Sequence, residues 1–212
     1  MSELFSIQLQ NRQQQGRDGV WLDLPTTTEQ VQAALRQIGI SSDNPQGLFI
    51  SGYFAEEEKR FAIPYNMVLA SNVDELNFLA ARLETLSAGE RAELNAALQT
   101  PQSELSSIGK ITDFPENVEY YVYLPDVRGP AQLGDYYLNR SGMVDMPEEW
   151  KGGIDTAQFG RYVAQQEQGV FTEYGYLVKS GDAWQKVHEG QPVPEEYRVL
   201  SFPAPEVMRD AA

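Results

Sequence analysis

Cysteine is absent from this chain of 212 residues, and histidine occurs only once. Without cysteine the protein forms no disulfide, no thiolate metal site and no thiol nucleophile. A zinc site would have to consist mainly of carboxylates, which is uncommon. The sequence therefore predicts neither a metal nor a cofactor.

Basic residues are also few. Lys and Arg number 16 against 31 Asp and Glu, which leaves a net charge of -15. Such a surface repels nucleic acid and anionic lipid and attracts basic partners. Because nucleic-acid binding depends on clustered Lys and Arg over phosphates, we expect neither nucleic acid nor a membrane as a direct partner.

Long apolar runs are missing as well. No run approaches the roughly 18 residues of a membrane span, and residues 1–16 lack the basic and apolar segments of a secretory signal. Hydrophobic residues still make up 42% of the chain and aromatic residues 11%, which is enough for folded cores. We expect a soluble cytoplasmic protein of one to two compact units.

Hydrophobic periodicity divides the chain into three regions. Region 1–62 alternates like a small sheet, with strands predicted at 4–9, 20–24 and 48–54 and a helix that Thr26 and Glu29 cap. Region 63–110 is helical. Its predicted helices start at Asn72 with Glu75 and at Ser87 with Glu90, followed after Pro101 by a short helix near 103–108.

Region 111–212 is aromatic and acidic. Its pattern predicts a strand at 120–124, helices at 131–139 and 156–168, a strand at 170–178 and an irregular tail from 179. The fold class predicted for the whole chain is α+β. It consists of three small domains, namely a sheet with a helix (1–62), a short helical bundle (63–110) and a C-terminal α/β domain with the tail (111–212).

Catalytic motifs find little support. His188 lies in the irregular tail without the neighbours of a triad and is interpreted as a surface residue. Gly109-Lys110 fails the phosphate-loop pattern, because Glu104 and Ile111 occupy the two other required positions. The acidic runs at 56–58, 148–149 and 195–196 are interpreted as solvated loops. None of these patterns supports catalysis, and we therefore expect no enzyme.

The distribution of charge suggests another function. Residues 111–160 carry nine acids and three bases, a balance of -6. Acids three or four apart on a helix, such as Glu90 and Glu93, lie about 5–6 Å apart. DNA presents one phosphate per about 3.4 Å on each strand, so spaced carboxylates can imitate it.

Several stretches, in their order along residues 4–178, resemble the ArdA antirestriction family. The match is carried by residues 7–9, 19–25, 29–40, 72–98, 135–138 and 154–177. The resemblance implies an elongated, curved row of three domains that dimerises through the C-terminal one. It also implies a DNA mimic that fills the DNA-binding groove of type I restriction-modification enzymes and protects incoming mobile DNA. The tail, 179–212, lies beyond the resemblance, and a subdomain, a regulatory arm and an ordered extension all stay open for it.

On this interpretation the functional site is a surface of phosphate-mimicking carboxylates, here called the acidic set. Its predicted members are Asp74, Glu75, Glu84, Glu90, Glu93, Asp113, Glu116, Glu119, Asp126, Asp135, Asp145, Glu148, Glu149 and Asp155. The neighbouring aromatics are predicted to form core or dimer contacts, and they are Tyr120, Tyr121, Tyr136, Tyr137 and Phe159.

Two other functions stay open. An acidic adaptor of a mobile element would bind a different protein through the aromatic C-terminal region, and salt would matter less to it than to a phosphate mimic. A carboxylate-dependent hydrolase would lose all function on replacement of one or two acids.

Overall fold

The structure is a computed structural model that describes residues 4–14, 18–56, 61–101 and 103–205. The chain divides into two compact units. The first unit comprises Met1–Thr85, Ser106–Thr112 and His188–Ala212, and the second comprises Leu86–Leu105 and Asp113–Val187. Helices and two small antiparallel sheets confirm the predicted mixed class. The predicted arrangement in three domains is not confirmed and stays a prediction.

A three-stranded antiparallel sheet organises the first unit, with strand order β2-β1-β3. The strands are β1 (Phe5–Asn11), β2 (Val20–Leu24) and β3 (Leu48–Phe54), as the alternating pattern predicts. Alternate side chains point to one face, where Ile7, Leu9 and Leu24 are fully buried. The opposite face carries the polar and exposed positions of the same strands.

Helix α1 (Thr28–Gln37) begins one residue later than predicted. The capping box is formed by Thr27 and Gln30, not by Thr26 and Glu29. Thr26 is buried instead, and its N–H donates to Asn77 Oδ1 at 2.7 Å. A contact between residues 51 positions apart decides this cap, so local spacing places it wrongly by one residue.

The described residues of the first unit form three further α-helices: α2 (Tyr65–Leu69), α3 (Val73–Glu84) and α5 (Ile108–Thr112). The predicted capping box of Asn72 and Glu75 opens α3. Leu76, Leu79 and Leu83 form the buried stripe of α3. The short helix predicted near 103–108 is wrong, because the helical turn begins only at Ile108.

Residues 188–205 of the tail belong to the first unit. Its irregular backbone contains the 3-10 turn Glu195–Tyr197, and the ring of Tyr197 packs 4.7 Å from the ring of Phe78. Tyr197 C=O accepts a hydrogen bond from Asn77 Nδ2, and Val199 is buried. The predicted irregular backbone is therefore correct, and the segment contributes to the core of the first unit.

The second unit contains four helices and three strands among the described residues. They are α4 (Ala88–Leu98), α6 (Pro130–Asp135), α7 (Glu148–Lys151), α8 (Thr156–Glu167), β4 (Tyr121–Leu124), β5 (Val170–Phe171) and β6 (Tyr176–Lys179). The sheet order is β4-β6-β5, with antiparallel pairing throughout. The predicted single strand at 170–178 is wrong, because a turn breaks it. Thr172 N–H donates to Gly175 C=O at 2.8 Å there, and Gly175 has φ +156°.

Two glycines bring α6 and α8 into backbone contact. A Cβ atom at Gly134 would lie 1.9 Å from Thr156 O, and one at Gly160 would lie 1.8 Å from Pro130 O. Only residues without a side chain fit at both positions. The helix predicted at 131–139 is confirmed, since α6 continues directly into a π-helix, Tyr136–Arg140.

Within the described residues, no helix is both long and apolar enough to cross a membrane.

Candidate functional site

Half of the acidic set forms an exposed group in the second unit. These residues, here called the exposed acids, are Glu116, Glu119, Asp126, Asp145, Glu148, Glu149 and Asp155. They lie in short turns and in the first residues of helices, where backbone N–H groups favour negative charge. The local sequence thus puts carboxylates on segments whose side chains face solvent.

Four of the exposed acids have no paired partner among the described residues. Glu119, Asp126, Asp145 and Glu149 make no ion pair or side-chain hydrogen bond with another described residue. Lys151 Nζ lies 2.9 Å from Glu148 and neutralises only that carboxylate. Exposed carboxylates of this kind attract a basic surface over about one Debye length, near 10 Å at 0.1 M salt.

Three members of the acidic set, one of which is also an exposed acid, cap helices. Asp155 Oδ1 accepts hydrogen bonds from the N–H groups of Ala157 and Gln158, both at 2.9 Å, and so begins α8. Glu90 accepts from Ser87 N–H at 2.7 Å in the predicted capping box, and hydrogen bonds from Ser87 lower the pKa of Glu90. Glu75 caps α3 in the same way, through Asn72 N–H. These carboxylates order helix ends even where they are accessible.

Asp74 holds the tail. Its Oδ1 accepts hydrogen bonds from the N–H groups of Val199 and Leu200, both at 2.7 Å. Asp135 is half-buried, and it lies 3.3 Å from Arg140 and accepts from Asn139 Nδ2. Glu84 is half-buried too. These three carboxylates are less available to a partner than the exposed acids.

Two members of the acidic set are buried, which sequence reasoning did not foresee. Asp113 is 0% exposed, and its Oδ2 accepts a hydrogen bond from Val187 N–H at 3.3 Å. Glu93 is 9% exposed, and its Oε1 finds no hydrogen-bond partner among the described residues. Burial, with a smaller contribution from Glu90, raises the pKa of Glu93 to about 7. Neither carboxylate lies on the surface that a partner would touch.

The aromatic residues of the second unit mostly serve its core. Tyr120 and Tyr121 are buried, in agreement with the predicted core role. The hydroxyls of Tyr137 and Tyr176 both donate to Glu167, and burial together with these hydrogen bonds raises the pKa of both phenols. Sequence reasoning missed Glu167, because no local spacing links it to Tyr137.

The single histidine is not a free surface residue. The ring of His188 packs edge-on against Phe78, with 4.9 Å between the centroids. Among the described residues, no cluster of three or more His, Asp or Glu could hold a metal ion. Glu56, Glu148, Glu149, Glu195 and Glu196 are exposed, as expected for solvated runs, while 57–58 lie outside the described residues.

Comparison with known proteins gives one family. A family model described as antirestriction protein (ArdA) matches residues 15–178, which is most of the chain. The matched range contains the whole acidic set and ends before the tail. Among curated proteins, no match is found.

Proposed function

The chain belongs to the antirestriction protein (ArdA) family, and we propose that its exposed acids imitate DNA phosphates in the DNA-binding groove of a type I restriction-modification enzyme. Occupation of that groove would block restriction of incoming mobile DNA. The family is one of antirestriction inhibitors rather than enzymes. The observation that carries the mimicry is the group of seven exposed carboxylates in the second unit, four of which make no ion pair with a described residue.

The physical basis is electrostatic competition. A groove that binds DNA is lined with Lys and Arg, and a protein of net charge -15 is attracted to it. Each exposed pair contributes only about 0.2–1 kcal/mol, so no single carboxylate should dominate. Affinity arises from many weak contacts and must fall as salt screens them.

A displacement titration tests this function. A type I methyltransferase core is bound to a labelled duplex that carries its recognition site, the purified protein is added, and anisotropy reports release of the duplex. We expect release at low salt, and a steep loss of potency between about 0.05 and 0.2 M salt. No release from several such enzymes at low salt would refute the proposal.

Matched variants separate local mimicry from total charge. The test variant neutralises three exposed acids: Glu119→Gln, Asp126→Asn and Glu149→Gln. The control variant neutralises three exposed carboxylates outside the acidic set: Asp43→Asn, Glu195→Gln and Glu196→Gln. At about 0.2–1 kcal/mol per contact, the test variant should lose roughly threefold to a hundredfold in potency and show a weaker salt dependence. Equal losses in both variants would mean that net charge, not the exposed acids, drives binding.

We propose in addition that the second unit pairs with a second copy of itself. Met143, Trp150 and Tyr162 are large hydrophobic side chains of this unit that remain more than half exposed. Exposed apolar side chains of this size favour a protein contact. Sedimentation of the wild type and of Trp150→Ser over a range of concentrations tests the pairing, and a wild-type monomer at high concentration would refute it.

The same exposed side chains are the specific observation that favours the adaptor function. An adaptor would bind its partner with little sensitivity to salt and would lose binding on replacement of a single aromatic residue. The salt series of the displacement titration therefore distinguishes the two functions.

A further inference from the structure

The outer face of the first sheet carries an exposed aromatic pair. Gln8 of the central strand β1 pairs with Trp21 of β2 on one side and with Gly52 of β3 on the other. Trp21 is 50% exposed and Phe54 is 58% exposed. Their rings meet at 72° with 6.4 Å between the centroids, an edge-to-face contact. Two aromatic side chains on strands that flank β1 thus form one continuous apolar patch.

Gly52 makes room for this pair. A Cβ atom at residue 52 would lie 3.0 Å from both Trp21 Cη2 and Gln8 Cβ, so a side chain there would crowd the indole. The indole reaches across the sheet over the space that Gly52 leaves open. The pair is therefore held in place by the packing of the sheet face, although both rings remain half accessible to solvent.

The chemistry around the patch suits a cation. Asp23 shares the outer face of β2 with Trp21 two residues away, and its Oδ1 accepts a hydrogen bond from Ser6 at 2.6 Å. The outward positions of the three described strands carry no Lys or Arg. At the other end of the face, the Arg12 guanidinium lies 5.0 Å from the centre of the Phe49 ring. This contact shows within the chain that the face can accept a guanidinium over an aromatic ring.

We propose that Trp21, Phe54 and Asp23, here called the aromatic patch, bind a basic side chain on the protein surface of the restriction-modification enzyme. The inference rests on the proposed function and adds to it a contact that does not imitate phosphate. A cation stacked on the Trp21 ring would have the Asp23 carboxylate nearby. Interface energy concentrates in Trp, Tyr and Arg at well-packed positions, whereas scattered surface carboxylates contribute little each.

The displacement titration with patch variants tests the inference. Trp21→Ala is compared with Tyr65→Ala, which removes an aromatic side chain of equal exposure, 50%, from the same unit. Gly52→Ala keeps every aromatic atom but adds a methyl group 3.0 Å from the indole. We expect Trp21→Ala to lose about 30-fold or more in potency, Gly52→Ala to lose less than Trp21→Ala, and Tyr65→Ala to retain potency. Circular dichroism confirms that each variant is folded.

Salt dependence identifies the kind of contact. Trp21→Ala should lose potency at every salt concentration with an unchanged slope, whereas Asp23→Asn should lose less and flatten the slope. Trp21→Phe keeps a ring and should recover most of the loss.

The outcomes are separable. If the wild type releases no DNA, the proposed function fails. If the wild type releases DNA and Trp21→Ala does so equally well, only the patch inference is overturned. Equal losses in Trp21→Ala and Tyr65→Ala also overturn it, as does loss of self-association in Trp21→Ala, since the occupant would then be a second copy.

Discussion

Replacement of Glu93 by Gln should change how the stability of the second unit depends on pH. Glu93 is 9% exposed in α4, its Oε1 has no hydrogen-bond partner among the described residues, and Glu90 lies one helical turn away. Glu93 also acts electrostatically on Tyr123 of β4. Burial first, then repulsion by Glu90, raises the pKa of Glu93 from 4.5 to about 7.

The direction in which stability changes with pH follows from proton binding. Between pH 4.5 and 7 the folded state holds a proton on Glu93 that the unfolded state has released, so stability falls as pH rises through this window. Below pH 4.5 the penalty is absent, and above pH 7 it is complete. At about 1.36 kcal/mol per pKa unit the penalty is at most about 3 kcal/mol, and residual solvent contact reduces it to about 2 kcal/mol.

Urea unfolding of the wild type and Glu93→Gln at pH 5.5 and pH 8 measures the effect. The variant has no carboxyl at residue 93 to ionise. Its free energy of unfolding, relative to that of the wild type, should therefore rise by roughly 1–2 kcal/mol from pH 5.5 to pH 8. Glu119→Gln is the control, because an exposed carboxylate without a partner should follow the wild-type profile. Parallel profiles for Glu93→Gln and the wild type would refute the reasoning. Since Glu93 is buried, Glu93→Gln should also leave DNA displacement at pH 7.5 unchanged.

Two further predictions concern packing. Gly160→Ala should destabilise the second unit by about 2 kcal/mol or more, because its Cβ would lie 1.8 Å from Pro130 O, whereas Gly152→Ala meets no atom within 4 Å and should be neutral in the same thermal melt. Asp74→Ala removes the acceptor of two tail N–H groups and should cost about 1–3 kcal/mol. Hydrogen exchange should show faster exchange in residues 188–205, and unchanged protection there would contradict the role given to Asp74.

Local signals predicted much of the fold. The strands of the first sheet follow from alternating side chains, and both predicted boxes at Asn72 and Ser87 cap their helices. In β2, Trp21 and Asp23 alternate with the buried Leu22 and Leu24, so their side chains point to the opposite face of the sheet. That alternation carried the signal for the aromatic patch, although the exposed position of Trp21 was not singled out from it.

Local signals failed where distant segments meet. The N-cap of α1 lies one residue later than predicted, because the N–H of Thr26 donates a hydrogen bond to Asn77. The strand expected at 170–178 breaks at a turn in which Thr172 bonds to Gly175, and its halves then form two strands of one sheet. Competition between local and tertiary contacts decides such boundaries, so periodicity locates elements better than their ends.

Composition and residue order alone determined the acidic balance, the lack of thiol chemistry and the family resemblance, since these are properties of the chain itself. Tertiary structure decided which carboxylates a partner can reach. Asp113 meets Val187 and Asp74 meets Val199, contacts between segments far apart in sequence, whereas Glu119 and Glu149 remain exposed. All four have the same ionisable group, and only packing by distant residues separates a carboxylate that stabilises the fold from one that can attract a basic groove.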